Sequence, residues 1–125
     1  MKYYNESIIN DFKQYTLAWI ESFNKGDVEA CINAYVDDAV MIVKNVGEFK
    51  GKKEISDFLN ETTKAAKHIE YSNTNIKVID EKTVHLDSDW KMNIAEGIIT
   101  LEEWVKQEEA SWKIVQDEFE ILKQY

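Results

Sequence analysis

The hydrophobic period of this chain changes once, near Ile69, and that change limits the fold more than any other feature. Before it, Tyr4, Ile8, Phe12, Tyr15, Trp19 and Phe23 recur every three or four residues, which is one apolar face of a long helix. Asn5 fits an N-cap, with Glu6 in the first turn, where a negative charge suits the helix dipole. Lys25-Gly26 predicts the stop: a cation in the last turn, then a residue free to take positive φ. Asp27 can cap a second, shorter helix running to Tyr35, its inner face formed by Cys31, Ala34 and Tyr35. A short branched run, Ala39 to Val43, predicts a strand, and Asn45-Val46-Gly47 a turn. Gly51 leads into a third helix, whose face is Ile55, Phe58, Leu59, Thr62 and Ala66.

From Ile69 onward the period is two. It predicts strands at 70–79, 83–93, 97–106 and 111–121. The breaks at Asp80-Glu81-Lys82, Ala95-Glu96-Gly97 and Glu108-Glu109-Ala110 are short enough for antiparallel hairpins. Helices followed by a meander must share one core. The expected class is therefore α+β, with three N-terminal helices packed on a strongly curved antiparallel sheet in one domain spanning residues 1–125.

Composition narrows the function. The net charge is -9 and every cation is Lys, because the chain has no Arg. A nucleic-acid binder needs a basic face, and anionic membranes repel this balance, so neither partner is expected. Cys31 is the only cysteine, which excludes an intrachain disulfide. With no signal-like N-terminus and no apolar run of about 20 residues, the expected location is cytoplasmic. His68 and His85 sit in no metal-ligand spacing, and Gly-rich phosphate loops are absent; neither a metal nor a cofactor is expected.

Three stretches carry a resemblance. They are Phe23-Asn24-Lys25-Gly26-Asp27, Tyr35-Val36-Asp37-Asp38-Ala39-Val40 and Gly47-Glu48-Phe49-Lys50-Gly51-Lys52. Together they resemble the opening of SnoaL-like, or nuclear transport factor 2-like, domains. Trp112-Lys113-Ile114-Val115 is similar to that group's last-strand signature. The resemblance implies a cone, with helices closing over a bent sheet around a pocket, and a homodimer joined through the sheet's outer face. The superfamily holds ketosteroid isomerase, polyketide cyclases, scytalone dehydratase and epoxide hydrolases beside non-enzymatic domains, so fold does not fix function. An epoxide-hydrolase Asp-Arg-Asp relay cannot exist here without Arg. Neither histidine matches a scytalone-dehydratase pocket. Of the ketosteroid-isomerase groups, Tyr15 is a conceivable hydroxyl donor, but the paired acids find no match.

The strands supply the candidates. Strict alternation over 97–106 separates Ile99, Leu101, Glu103 and Val105 from Ile98, Thr100, Glu102, Trp104 and Lys106. A carboxylate among apolar neighbours favours its neutral form and is tuned toward acid/base work near neutral pH. Glu103 is the catalytic candidate on this ground; the competing reading sets it at the wide, wet end of the strand. Over 83–93, Val84, Leu86, Ser88, Trp90 and Met92 read as inward-facing, but a slip of one residue turns Asp87 and Asp89 inward instead. The last strand stays open as well. The resemblance turns Trp112 and Ile114 inward and brings Gln116 and Glu118 to the pocket, whereas pattern equally allows the face of Asp117. The expected pocket wall is Tyr15, Trp19, Tyr35, Met41, Phe58 and Trp90, a set that ordinary core packing also explains. Trp104, on an otherwise polar face, is the expected dimer contact. The leading expectation is a homodimer binding a small apolar or mixed-polarity molecule, as a binder or a cofactor-free isomerase, dehydratase or cyclase. The alternative is a non-catalytic dimerisation or interaction domain.

Overall fold

The computed structural model describes residues 2–125, with side chains from Asn5 onward. Tyr4, expected on the first helix's apolar face, lies outside the described side chains. The long helix α1 (Lys2–Lys25) runs through Asn5, so Asn5 sits inside it rather than capping it. Gly26 follows at φ 79°, as the Lys25-Gly26 stop requires. Asp27 caps α2 (Val28–Asn33) by accepting a hydrogen bond from the Ala30 amide. Then come β1 (Tyr35–Val43), β2 (Gly47–Lys50), α3 (Gly51–Thr62) and four long strands: β3 (Glu70–Asp80), β4 (Thr83–Lys91), β5 (Ala95–Lys106) and β6 (Trp112–Gln124). The turn at Asn45-Val46-Gly47 is the corner of a β1–β2 hairpin; β2 is too short to show a period of its own.

The six strands form one sheet in the order β2-β1-β6-β5-β4-β3. It is mixed, which corrects the fully antiparallel expectation: β1 runs parallel to β6. The last strand enters between β1 and the meander, and no local hairpin connects it to β1, so sequence neighbours give no hint of the pairing. The helices cover one face. Phe12 of α1 meets Trp104 edge-on, ring centres 5.2 Å apart, and Ile55 and Leu59 of α3 are buried beneath the β1 side.

Two of the bulges in the β5–β6 pair bear on the site. In β5, Ile99 pairs with Phe119 but Leu101 pairs with Glu118, which leaves Thr100 as an extra residue. In β6, Ile114 pairs with Trp104 but Gln116 pairs with Glu103, which leaves Val115 extra. Each bulge kinks its strand and resets which side chains face inward.

Candidate functional site

The helices and the concave face of the sheet enclose a cavity of about 360 Å³. Its walls are aromatic and aliphatic: Trp19 and Phe23 from α1, Phe58 from α3, Trp90 from β4, and Phe119 and Ile121 from β6. Exposed lining residues, Glu61, Ala65, Ile94 and Gln124, mark its opening. The deep end holds two acids, Glu102 and Asp117, 4% and 5% exposed.

The bulges place these acids. Upstream of Thr100, Ile99 points into the cavity; the extra residue hands the next inward positions to Glu102 and Trp104. Upstream of Val115, Trp112 and Ile114 are buried; downstream the inward positions pass to Asp117, Phe119 and Ile121. Glu102 and Asp117 are paired neighbours on adjacent strands. Each is held by hydrogen bonds. Trp104 Nε1 donates to Glu102 Oε1 at 2.8 Å, and the Tyr71 hydroxyl donates to Oε2 at 3.2 Å. The Tyr35 hydroxyl donates to Asp117 Oδ2 at 2.7 Å. Asp117 Oδ1 has no donor among the described residues.

Burial governs their protonation. Desolvation, and then repulsion from Asp117, pushes Glu102 up to about 8 against the pull of its Trp104 and Tyr71 donors. Desolvation pushes Asp117 up to about 6, opposed by the Tyr35 hydrogen bond and assisted by the charge of Glu118. The two titrate as a unit, so near neutral pH the pair holds about one proton and one negative charge. Burial and the same carboxylates drive Tyr35 and Tyr71 well above the ordinary phenol range, so both hydroxyls remain donors. Among the described residues no Lys or His lines the cavity to neutralise the pair.

The expected pocket residues Trp19, Tyr35, Met41, Phe58 and Trp90 all line this cavity. Tyr15 does not; it lies in a separate groove with Trp104 and Trp112, outside the reach expected of a hydroxyl donor. Glu103, expected to face inward, is on the outer face, one-third exposed and hydrogen-bonded to His85 Nε2 at 2.9 Å. The bulge at Thr100 is the reason, because alternation counted from Ile99 fails by one residue. Gln116 and Glu118 also leave the pocket; they pair with each other outside it, past the bulge at Val115. Trp104, expected as an exposed dimer contact, is 1% exposed and belongs to the core. On β4 the inward set is Val84, Leu86, Ser88 and Trp90, while Asp87 and Asp89 bond outward to Asn75 and Asn73.

Alternation missed Glu102 and Tyr71. The available signal was Trp104 itself: a large indole two residues from Glu102 identifies that face as the buried one. Two asparagines brace the opening. Asn24 makes a two-way bond to the Ile69 backbone, and Asn93 holds the Ala65 carbonyl and Lys67 amide. No group of three metal-ligating His, Cys, Asp or Glu side chains occurs among the described residues. No helix among them is long and apolar enough to cross a membrane.

The sequence model of the SnoaL-like domain matches residues 16–107. A candidate scytalone dehydratase from Novosphingobium aromaticivorans superposes with a TM-score of 0.84 at 14% identity, covering 100% of this chain and 91% of its own. A ketosteroid isomerase-like protein from Erwinia carotovora atroseptica gives 0.79 at 16% identity, covering 92% and 96%. A cystatin-like fold protein from Nostoc punctiforme gives 0.73 at 16% identity, covering 89% and 88%. At such identities the likeness is one of fold. No curated protein matches the chain.

Proposed function

Because this chain belongs to the SnoaL-like domain family, we propose that its cavity binds a small, largely apolar molecule and moves a proton on it without a cofactor. The observation that carries this is the buried Glu102–Asp117 pair, set at the end of an apolar cavity with the Tyr35 and Tyr71 hydroxyls upon it. A pair that holds one proton near neutral pH offers a base and an acid together. Asp117, with an open Oδ1, takes a proton from the ligand; Glu102 returns one at a second position, and the pair ends with the proton count it began with. Isomerisation, dehydration and cyclisation all fit that exchange. The ketosteroid isomerase-like and scytalone dehydratase-like names of similar folds accord with it.

A homodimer is part of the proposal. Its contact is the outer sheet face, where Leu101, Val105 and Val115 are half-buried in the single chain, and not Trp104.

The test is hydrogen exchange. The protein is incubated in heavy water with a panel of cyclic ketones, and loss of carbon-bound hydrogen is followed by NMR. The expected result is accelerated exchange for at least one ketone, lost in Glu102→Gln and Asp117→Asn. Exchange that persists in both variants, or no ketone that exchanges or raises the melting temperature, contradicts the proposal.

A further inference from the structure

The cavity has an unbalanced charge. Two carboxyls stand at its deep end, Glu61 stands at its opening, and no cationic side chain among the described residues lines it. The three donors that reach the pair, from Trp104, Tyr71 and Tyr35, are neutral. Among the described residues Asp117 Oδ1 lacks even such a donor, in a residue that is only 5% exposed. The same cavity is lined by the rings of Trp19, Phe23, Phe58, Trp90 and Phe119, and the buried indole N–H groups of Trp19 and Trp90 have no acceptor among the described residues. A protein cation would ordinarily sit beside a buried carboxylate, and here the position is left to the ligand.

We propose that the cavity selects a lipophilic organic cation, a protonated amine on an apolar body, whose N–H group supplies the donor that Asp117 Oδ1 lacks. Aromatic walls favour a cation over a neutral group of equal shape through the quadrupoles of their rings. The net charge of -9 adds a field that draws cations to the opening and repels carboxylate or phosphate ligands. This inference rests on reading the cavity as the ligand site, and adds the sign of the ligand's charge.

Binding and titration are linked. A bound ammonium favours the ionised pair, so its affinity rises with pH as the pair loses protons. The groups that bear on this titration come from every element around the pair. Glu102 is on β5, and Asp117 and Glu118 are on β6. Tyr35 comes from β1 and Tyr71 from β3, Cys31 of α2 interacts with Tyr71, and Glu61 ends α3. Among the described residues, α1 contributes only uncharged lining groups, Trp19 and Phe23.

The test uses matched pairs of arylalkyl ligands, beginning with naphthylethylamine and naphthylethanol. Calorimetry is done at about pH 5.5 and about pH 8.5, where a primary alkylamine stays protonated. The expected result is that the amine binds at least about tenfold tighter than the alcohol at the higher pH and loses that preference at the lower. Asp117→Asn is expected to erase the preference; should it fail to fold, Glu102→Gln is expected to reduce it. An alcohol that binds as tightly as its amine at the higher pH overturns the cationic ligand and leaves the cavity reading standing. Binding of neither series at millimolar concentration overturns both.

Discussion

Glu102 and Asp117 face each other across the β5–β6 ladder, and each accepts a hydrogen bond from a tyrosine on a different strand. Tyr71 arrives from one edge strand, β3, and Tyr35 from β1 on the other side of β6. The acids therefore sit where the curvature of the whole sheet brings distant strands together. Several consequences can be measured.

The pair makes stability fall with rising pH. Both carboxyls have folded pKa values above their unfolded ones, so the folded state binds more protons across the interval between them. The resulting advantage is full below about pH 4, where unfolded carboxyls titrate. It is lost as pH rises through about 6 and then about 8. The melting temperature is expected to be several degrees higher at about pH 5 than at about pH 8.5, at roughly 4 °C per kcal/mol. Glu102→Gln and Asp117→Asn should each flatten this slope. A melting temperature that rises over the interval contradicts the burial of the pair.

Tyr35→Phe removes the donor to Asp117 without changing ring volume. It should cost about 1–3 kcal/mol by denaturant unfolding, the penalty of an unsatisfied buried polar group. It should also raise the apparent pKa of the pair, because the charged form of Asp117 loses the Tyr35 donor. An unchanged titration would detach Tyr35 from the site.

Trp104 is a core residue, packed edge-on against Phe12 and bonded to Glu102. Trp104→Ala is expected to destabilise the fold by about 3–5 kcal/mol in chemical denaturation. A stable variant that only changes its oligomeric state in sizing would return Trp104 to the surface.

Gly97 lies against its neighbours so closely that a Cβ there would collide with the Glu120 carbonyl oxygen and come within 2.7 Å of the Trp90 ring. Gly97→Ala should cost at least about 1–3 kcal/mol, as overpacking does, and displace Trp90 toward the cavity. Trp fluorescence and thermal melting would both register it; a variant with wild-type melting contradicts the contact.

Cys31 is fully buried, and desolvation pushes its thiol up to about 12. It should resist thiol reagents in native buffer and react at once on unfolding. Rapid labelling of the folded protein would refute that burial.

The sequence disclosed the fold better than the site. The period of α1 and the Lys25-Gly26 stop were legible, because helix patterning is local and Gly26 does take positive φ. The hairpins of β3 to β6 were legible for the same reason, although Ala95-Glu96-Gly97, read as a break, lies inside β5. The parallel pairing of β1 with β6 was not, since nothing near either strand encodes it. Trp19, Tyr35, Met41, Phe58 and Trp90 do line the cavity, although Tyr35, read as the end of the second helix, opens β1 instead, and Tyr15 lies outside. The acids did not, because Thr100 and Val115 each add one residue to a period-two pattern. A single extra residue exchanges the faces, so Glu103 was favoured where Glu102 lies inside. For β6, both faces counted: Trp112 and Ile114 before the bulge, Asp117 after it.

Two carboxyls at the end of the cavity hold one proton between them near neutral pH. Carboxyl-carbon NMR titration of the protein tests it directly, with Glu102→Gln and Asp117→Asn for assignment. Two carboxyls are expected to titrate well above the ordinary range, at about 6 and about 8, each step moving when the partner is replaced. Both carboxyls titrating near the usual value of about 4 would contradict it, and the proton-transfer reading with it.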